Sequence, residues 1–155
     1  MPGPSDVPGP RELFERMRRY WLDDVAITEG GLLAEDVVVE MPFAPPGRPR
    51  RVEGRERFAA FAAQGRAALP VRFDEIRELA VHETADPEVI VVEYEITGTV
   101  TTTGRRATAP FVGVLRARDG KVTHWREYQD AMAIAEALGR PAGSPPAGSP
   151  AGAGG

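Results

Sequence analysis

The chain predicts an α+β domain, with helices packed on one face of a curved, mainly antiparallel sheet. Three observations carry this. Apolar residues recur at helical spacing early in the chain, over residues 10–22 and 54–69. Four long strand-like runs then follow one another, over 71–83, 88–102, 105–118 and 121–128. The connections between them are hairpin-short: Ala85-Asp86-Pro87, Thr103-Gly104 and Asp119-Gly120. Helices first and hairpins last belong to the α+β class.

The elements follow in order. Pro10 sits where a first helical turn tolerates proline, and Leu13, Phe14, Met17, Trp21 and Leu22 form an apolar stripe behind it. Asp23-Asp24 breaks the stripe and can cap a second, short helix, which Gly30-Gly31 weakens. Val37-Val38-Val39 marks a strand over Asp36–Met41. Four prolines and Gly47 make 42–52 a loop. A helix over Gly54–Leu69 turns Phe58, Phe61, Ala62 and Leu69 inward and ends at Pro70. After the four strands, Gln129–Leu138 reads as a closing helix with Met132, Ile134, Ala135 and Leu138 on its apolar side, stopped by Gly139.

Composition narrows the function classes. At 155 residues the chain is one domain with room for a core, and 42% apolar with 27% charged residues is a globular composition. There is no cysteine, so disulfides and thiol chemistry are excluded. Only His82 and His124 offer imidazole, which argues against a multi-histidine metal site. No apolar run approaches the ~18 residues of a membrane span. The first ten residues, with no basic or apolar region, give no sign of a signal peptide. A net charge of −4 gives no support to nucleic-acid binding. Arginine outnumbers lysine 18 to 1 and asparagine is absent, a bias typical of GC-rich genomes, so a bacterial, cytoplasmic protein is expected. Residues 1–9 and 140–155, rich in proline, alanine and glycine, are expected to be disordered tails around a domain at 10–139.

Three motifs carry a family resemblance: Leu33-Ala34-Glu35-Asp36-Val37-Val38-Val39-Glu40-Met41-Pro42, read as a helix running into a strand; Val52-Glu53-Gly54-Arg55-Glu56, opening a helix; and Asp119-Gly120-Lys121-Val122-Thr123-His124-Trp125-Arg126-Glu127-Tyr128, a hairpin into the last strand. In this order, across about residues 11–139, they resemble the nuclear transport factor 2-like superfamily and its SnoaL-like branch. The resemblance implies a cone-shaped domain whose bent sheet wraps around the helices, an apolar pocket between them, and homodimers through the outer sheet face. Trp21, Met41, Phe43, Phe58, Phe61, Phe73, Phe111 and Trp125 are the side chains available to line such a pocket, although core filling explains most buried aromatics equally well.

The superfold hosts many chemistries, so each is tested on its residues. Ketosteroid isomerases of this fold use a carboxylate base at the end of the first strand, where this chain has Met41, and a buried acid near the place of Val112. Both acids are missing, and steroid-isomerase chemistry of that type is set aside. Tyr20 lies near their helix-one tyrosine and equally suits the edge of the core. Trp125-Arg126-Glu127-Tyr128-Gln129-Asp130 is similar to the stretch that carries the catalytic aspartate of limonene-type epoxide hydrolases, with Glu127 in its place. Arg126-Glu127-Tyr128 also resembles a stretch of the small phenazine-pathway condensation proteins, whose glutamate lies in the substrate pocket. In those proteins a threonine-x-aspartate-proline turn is similar to His82-Glu83-Thr84-Ala85-Asp86-Pro87.

Strand alternation puts Lys121, Thr123, Trp125 and Glu127 on one face and Val122, His124, Arg126 and Tyr128 on the other. A carboxyl beside Trp125 in an apolar pocket loses solvation, its pKa rises, and it can exchange a proton near neutral pH. In a shifted register Glu127 would instead face water or pair with an arginine. The epoxide-hydrolase pattern needs an arginine and an acid two apart on an earlier strand. Glu93 and Glu95 are the nearest match, without the arginine, and Ile90, Val92, Tyr94, Ile96 and Val100 mark the opposite face as the core side. Arg48, Arg50, Arg51, Arg55 and Arg57 crowd the proline-rich loop, where an anion site and a solvated basic loop are both open, the second being commoner.

The leading expectation is a cofactor-independent acid–base enzyme of bacterial specialised metabolism. It would cyclise, condense, isomerise or dehydrate a small hydrophobic or carbonyl-containing substrate, with Glu127 as proton shuttle and Tyr20, Met41, Phe111 and Trp125 shaping the pocket. The first rival is an epoxide hydrolase or epoxide-opening cyclase using Glu95 with Glu127. The second is a ligand-binding or dimerisation module without chemistry. A lone carboxyl favours the first reading, carboxylates meeting in one closed pocket the epoxide reading, and a pocket filled by its own side chains the module.

Overall fold

A computed structural model describes residues 6–139; the ends at 1–5 and 140–155, where most of the expected tail sequence falls, lie outside the described residues. Helix α1 (Pro10–Leu22) begins at its proline and buries Leu13, Phe14 and Met17 completely. Its end is set by Asp23, whose backbone N–H returns to the carbonyl of Arg19, and by Asp24, which takes a left-handed φ of 56°. The expected second helix is absent, and residues 23–32 form turns. Left-handed backbone at Asp24, Gly30 and Gly31 folds the chain back where a helix would carry it onward.

Strand β1 (Leu33–Glu40) starts three residues earlier than Asp36, so the first motif is strand up to Glu40 rather than a helix entering a strand. The far end of the expected loop holds a short edge strand, β2 (Arg51–Glu53), which pairs antiparallel with β1. Helix α2 (Arg55–Ala68) follows Gly54 and buries Phe58, with Phe61 and Ala62 half-buried. Strands β3 (Val71–Glu83), β4 (Val89–Val100), β5 (Arg106–Arg118) and β6 (Lys121–Gln129) form the expected meander. Helix α3 (Ala131–Ala137) closes the chain. It starts two residues after Gln129, which is still strand, because the Asp130 carboxylate accepts the N–H of Ala133 as a cap. Met132 is 71% exposed and does not join Ile134, Ala135 and Leu138, since so short a helix has only one inward face.

The six strands make one sheet in the order β2-β1-β6-β5-β4-β3. Every pairing is antiparallel except β1 with β6, which is parallel. The core lies between the inner sheet face and α1, with Ile90, Val92 and Tyr94 alternating inward along β4 as expected. Strand β6 departs from simple alternation. Arg116 pairs with His124 but Ala117 pairs with Val122, so Thr123 is an extra residue. The bulge resets the faces: Val122, expected opposite Trp125, is buried with it in the same core, at 0% and 3% exposure. From Trp125 onward the expected faces hold. Gly113, across the strand pair from Glu127, leaves the space that the Trp125 indole occupies, and a methyl there would overlap the ring.

Candidate active site

The inner face of β4, β5 and β6 and one side of α1 bring five aromatic rings together. Phe14 lies 5.4 Å from Tyr94 and 6.3 Å from Trp125, centroid to centroid. Tyr94 stacks on Phe111 at 5.4 Å, and Trp21 stands 6.0 Å from Trp125. Beyond this cluster, between the sheet, α2, α3 and the proline-rich loop, is a cavity of about 610 Å³. Its wall is mostly apolar, and Glu127 is the one carboxylate among its lining residues.

Glu127 is held there by register. It follows Trp125 by two on β6 and faces Gly113, so the bulge at Thr123 upstream fixes its inward direction. The Tyr94 hydroxyl donates to Glu127 Oε2 at 2.7 Å. Burial raises the Glu127 pKa above the ordinary carboxyl value, and hydrogen bonds from Tyr94 and Trp125 offset only part of that rise. Tyr94 is fully buried beside this carboxyl and is pushed well above the usual phenol value, so it stays a neutral donor. Such a carboxyl changes charge nearer neutrality than a solvated one and can take a proton from, or return it to, a bound carbon or oxygen acid.

The eight side chains available to line a pocket, Trp21, Met41, Phe43, Phe58, Phe61, Phe73, Phe111 and Trp125, all line the cavity. Tyr20, also expected to shape it, does not. It packs over Gly30, which has no Cβ to obstruct it, one helical position away from the inward face that Trp21 occupies. Glu95 is not brought to Glu127 either. It lies on the outer face of β4, next to inward Tyr94, and pairs with Arg77 at 2.6 Å. Glu93 shares that outer face and meets His82 at 2.6 Å. Tyr94 was legible as a core residue from the alternation of β4, but its bond to Glu127 depends on a cross-sheet register that no local pattern encodes.

The outer face of β1, β2 and β6 carries a separate charge cluster. Glu40 pairs with Arg126 at 2.6 Å and Arg51 at 2.6 Å, with His124 Nε2 at 3.2 Å. The Arg126 hydrogen bond is the main reason its pKa falls to about 2. The cluster ties β1, β2 and β6 together behind the site. Among the described residues no group of His, Asp and Glu side chains is arranged to hold a metal ion, and no helix is long and apolar enough to cross a membrane.

Three helices packed with one six-stranded mixed sheet in this order, with an apolar cavity beside the core, make an α+β fold of the nuclear transport factor 2-like class. Within that class the chain belongs to the SnoaL-like domain family, whose sequence profile matches residues 10–125. It is 36% identical over 102 residues to an uncharacterised PhzA/B-like protein of Pseudomonas aeruginosa, covering 66% of this chain and 70% of that one. In structure it is similar to a Bacillus subtilis protein provisionally named an isomerase, with a TM-score of 0.76, 25% identity, and coverage of 87% of this chain and 96% of that chain. It also shares its fold with a phenazine biosynthesis-related protein of Pseudomonas aeruginosa, with a TM-score of 0.64, 22% identity, and coverage of 92% and 93%.

Proposed function

We propose that this protein is a cofactor-independent acid–base enzyme of bacterial specialised metabolism, acting on a small apolar, carbonyl-containing substrate by cyclisation, condensation, isomerisation or dehydration. The observation that carries this reading is a single desolvated carboxyl, Glu127, in the wall of an otherwise apolar cavity, hydrogen-bonded by a tyrosine that remains protonated. A cavity of about 610 Å³ is the size of small-molecule sites and is not filled by its own side chains, which speaks against a purely structural module. The position of Glu95 on the outer face speaks against paired acids opening an epoxide.

Carbon-13 NMR of the side-chain carboxyls tests the electrostatic basis. Glu127 is expected to titrate above 4.5, the ordinary value. Tyr94→Phe removes a donor that favours the charged form, so the midpoint should move higher still. A midpoint at or below the ordinary value in the wild type would remove the case for Glu127 as a proton shuttle.

We also propose that the protein works as a homodimer through the outer sheet face, where half-buried Val89, Val91, Thr97 and Thr99 flank Glu93 and Glu95. Sedimentation at micromolar concentration should give about twice 16.7 kDa. A clean monomer would dispose of this arrangement.

A further inference from the structure

The five arginines crowded around the proline-rich loop part company once the chain folds. Arg51 bridges Glu40 and Glu53, at 2.6 and 2.8 Å. Arg55 donates to the Leu33 carbonyl at 3.3 Å, and Arg50 and Arg57 are exposed. Arg48 alone lines the cavity, half-buried, and it is the only cationic side chain in that wall. Its guanidinium lies over the Phe61 ring, 5.4 Å from the centroid. Among the described residues no carboxylate or carbonyl takes up its side-chain donors. The contrast with Arg66 is instructive. Arg66 also lies over an aromatic ring, Phe73 at 4.9 Å, but its charge is met by Asp24.

A guanidinium with five donors, placed over a ring in a mostly apolar wall with no protein acid on it, suits an oxyanion. The ring attracts the cation, apolar neighbours reduce its competing water, and among the described residues no acid pairs with it. The rest of the cavity offers hydrocarbon and aromatic surface, with Glu127 on a different wall element, β6.

We propose that Arg48 is the anion-binding residue of this cavity, and that its ligand is an apolar molecule bearing one oxyanion, such as a carboxylate. This deepens the proposed function, on which it rests for the cavity being a ligand site. It gives the substrate a polarity: the oxyanion sits at the proline-rich loop, and the body extends into the aromatic wall.

Two fluorescent probes with one shared body test this on the full chain. 8-Anilinonaphthalene-1-sulfonate carries an oxyanion and N-phenyl-1-naphthylamine does not. Energy transfer from Trp21 and Trp125, the only tryptophans of the chain and both in the cavity wall, reports binding inside. Arg48→Gln should weaken the sulfonate probe by roughly tenfold or more, the usual worth of a charge-assisted hydrogen bond, and leave the neutral probe unchanged. Arg48→Lys should recover part of the loss, and Arg57→Gln, on the exposed side of α2, should match wild type. Equal weakening of both probes would mean that Arg48 only holds the loop, and unchanged sulfonate binding would mean that it meets no anion; either overturns the assignment while the reading of Glu127 stands. If neither probe binds the wild type, the cavity is not a ligand site and both readings fall together.

Discussion

Turnover on the true substrate should fall roughly 10²–10⁴-fold in Glu127→Gln, the usual contribution of a positioned acid–base group. The amide keeps the size of the side chain and can still accept from Tyr94, so the aromatic cluster has no reason to move. Stability should hold or improve at neutral pH. The sign follows from the raised pKa in the folded state: protons bind more tightly to the folded chain, so the stabilisation is complete below the unfolded carboxyl's pKa and is lost as pH rises through the folded value. Above that value the fold buries an anion, and the amide removes that burden. Lost turnover with an undiminished melting temperature is therefore the expected signature, and Glu95→Gln, outside the cavity, should leave turnover nearly intact. Wild-type rates from Glu127→Gln would end its role as catalyst.

The largest effect on folding should come from Phe14→Ala. Phe14 is 0% exposed and touches Trp21, Tyr94 and Trp125 at ring-centroid distances of 6.5, 5.4 and 6.3 Å. Truncating a buried phenylalanine costs roughly 3–5 kcal/mol, because the rings around it cannot all close on the space left behind. Against a total stability of about 5–15 kcal/mol, the melting temperature should drop by roughly ten to twenty degrees. Calorimetry decides this, and a change of only one or two degrees would mean that α1 does not anchor the aromatic cluster.

Much of this architecture was legible because it is written locally. The meander shows in four strand-like runs and their short turns, and α1 in its apolar stripe. Glu127 was singled out by the resemblance of the Trp125-Arg126-Glu127-Tyr128 stretch, and its inward face by a two-residue spacing from Trp125 that lies wholly downstream of the bulge. What escaped was non-local or depended on backbone geometry. Asp23-Asp24 has the composition of a helix cap, but the left-handed turn at Asp24 and two left-handed glycines convert the next ten residues into turns. Strand β2 is three residues long and exists only through pairing with β1, so it has no pattern of its own. The bulge at Thr123 is invisible to an alternation rule that counts every residue. The isolation of Arg48 from its arginine neighbours depends on where the acids of other strands fall.

The parallel pairing of β1 with β6 also bears on how the protein comes into being. It joins the first strand to the last, and the Glu40–Arg126 bond that locks it spans 86 positions of sequence. Contacts this distant impose a large loop-closure cost and slow the search for the native arrangement. On the ribosome, β1 and β2 must wait, unpaired at the β6 side, through the synthesis of α2 and three long strands. The hairpins of the meander can form while they wait. Assembly then finishes at the strand that carries Glu127, so the buried carboxyl and the cavity around it arise in the same late event, and a nascent chain lacking its last strand has neither.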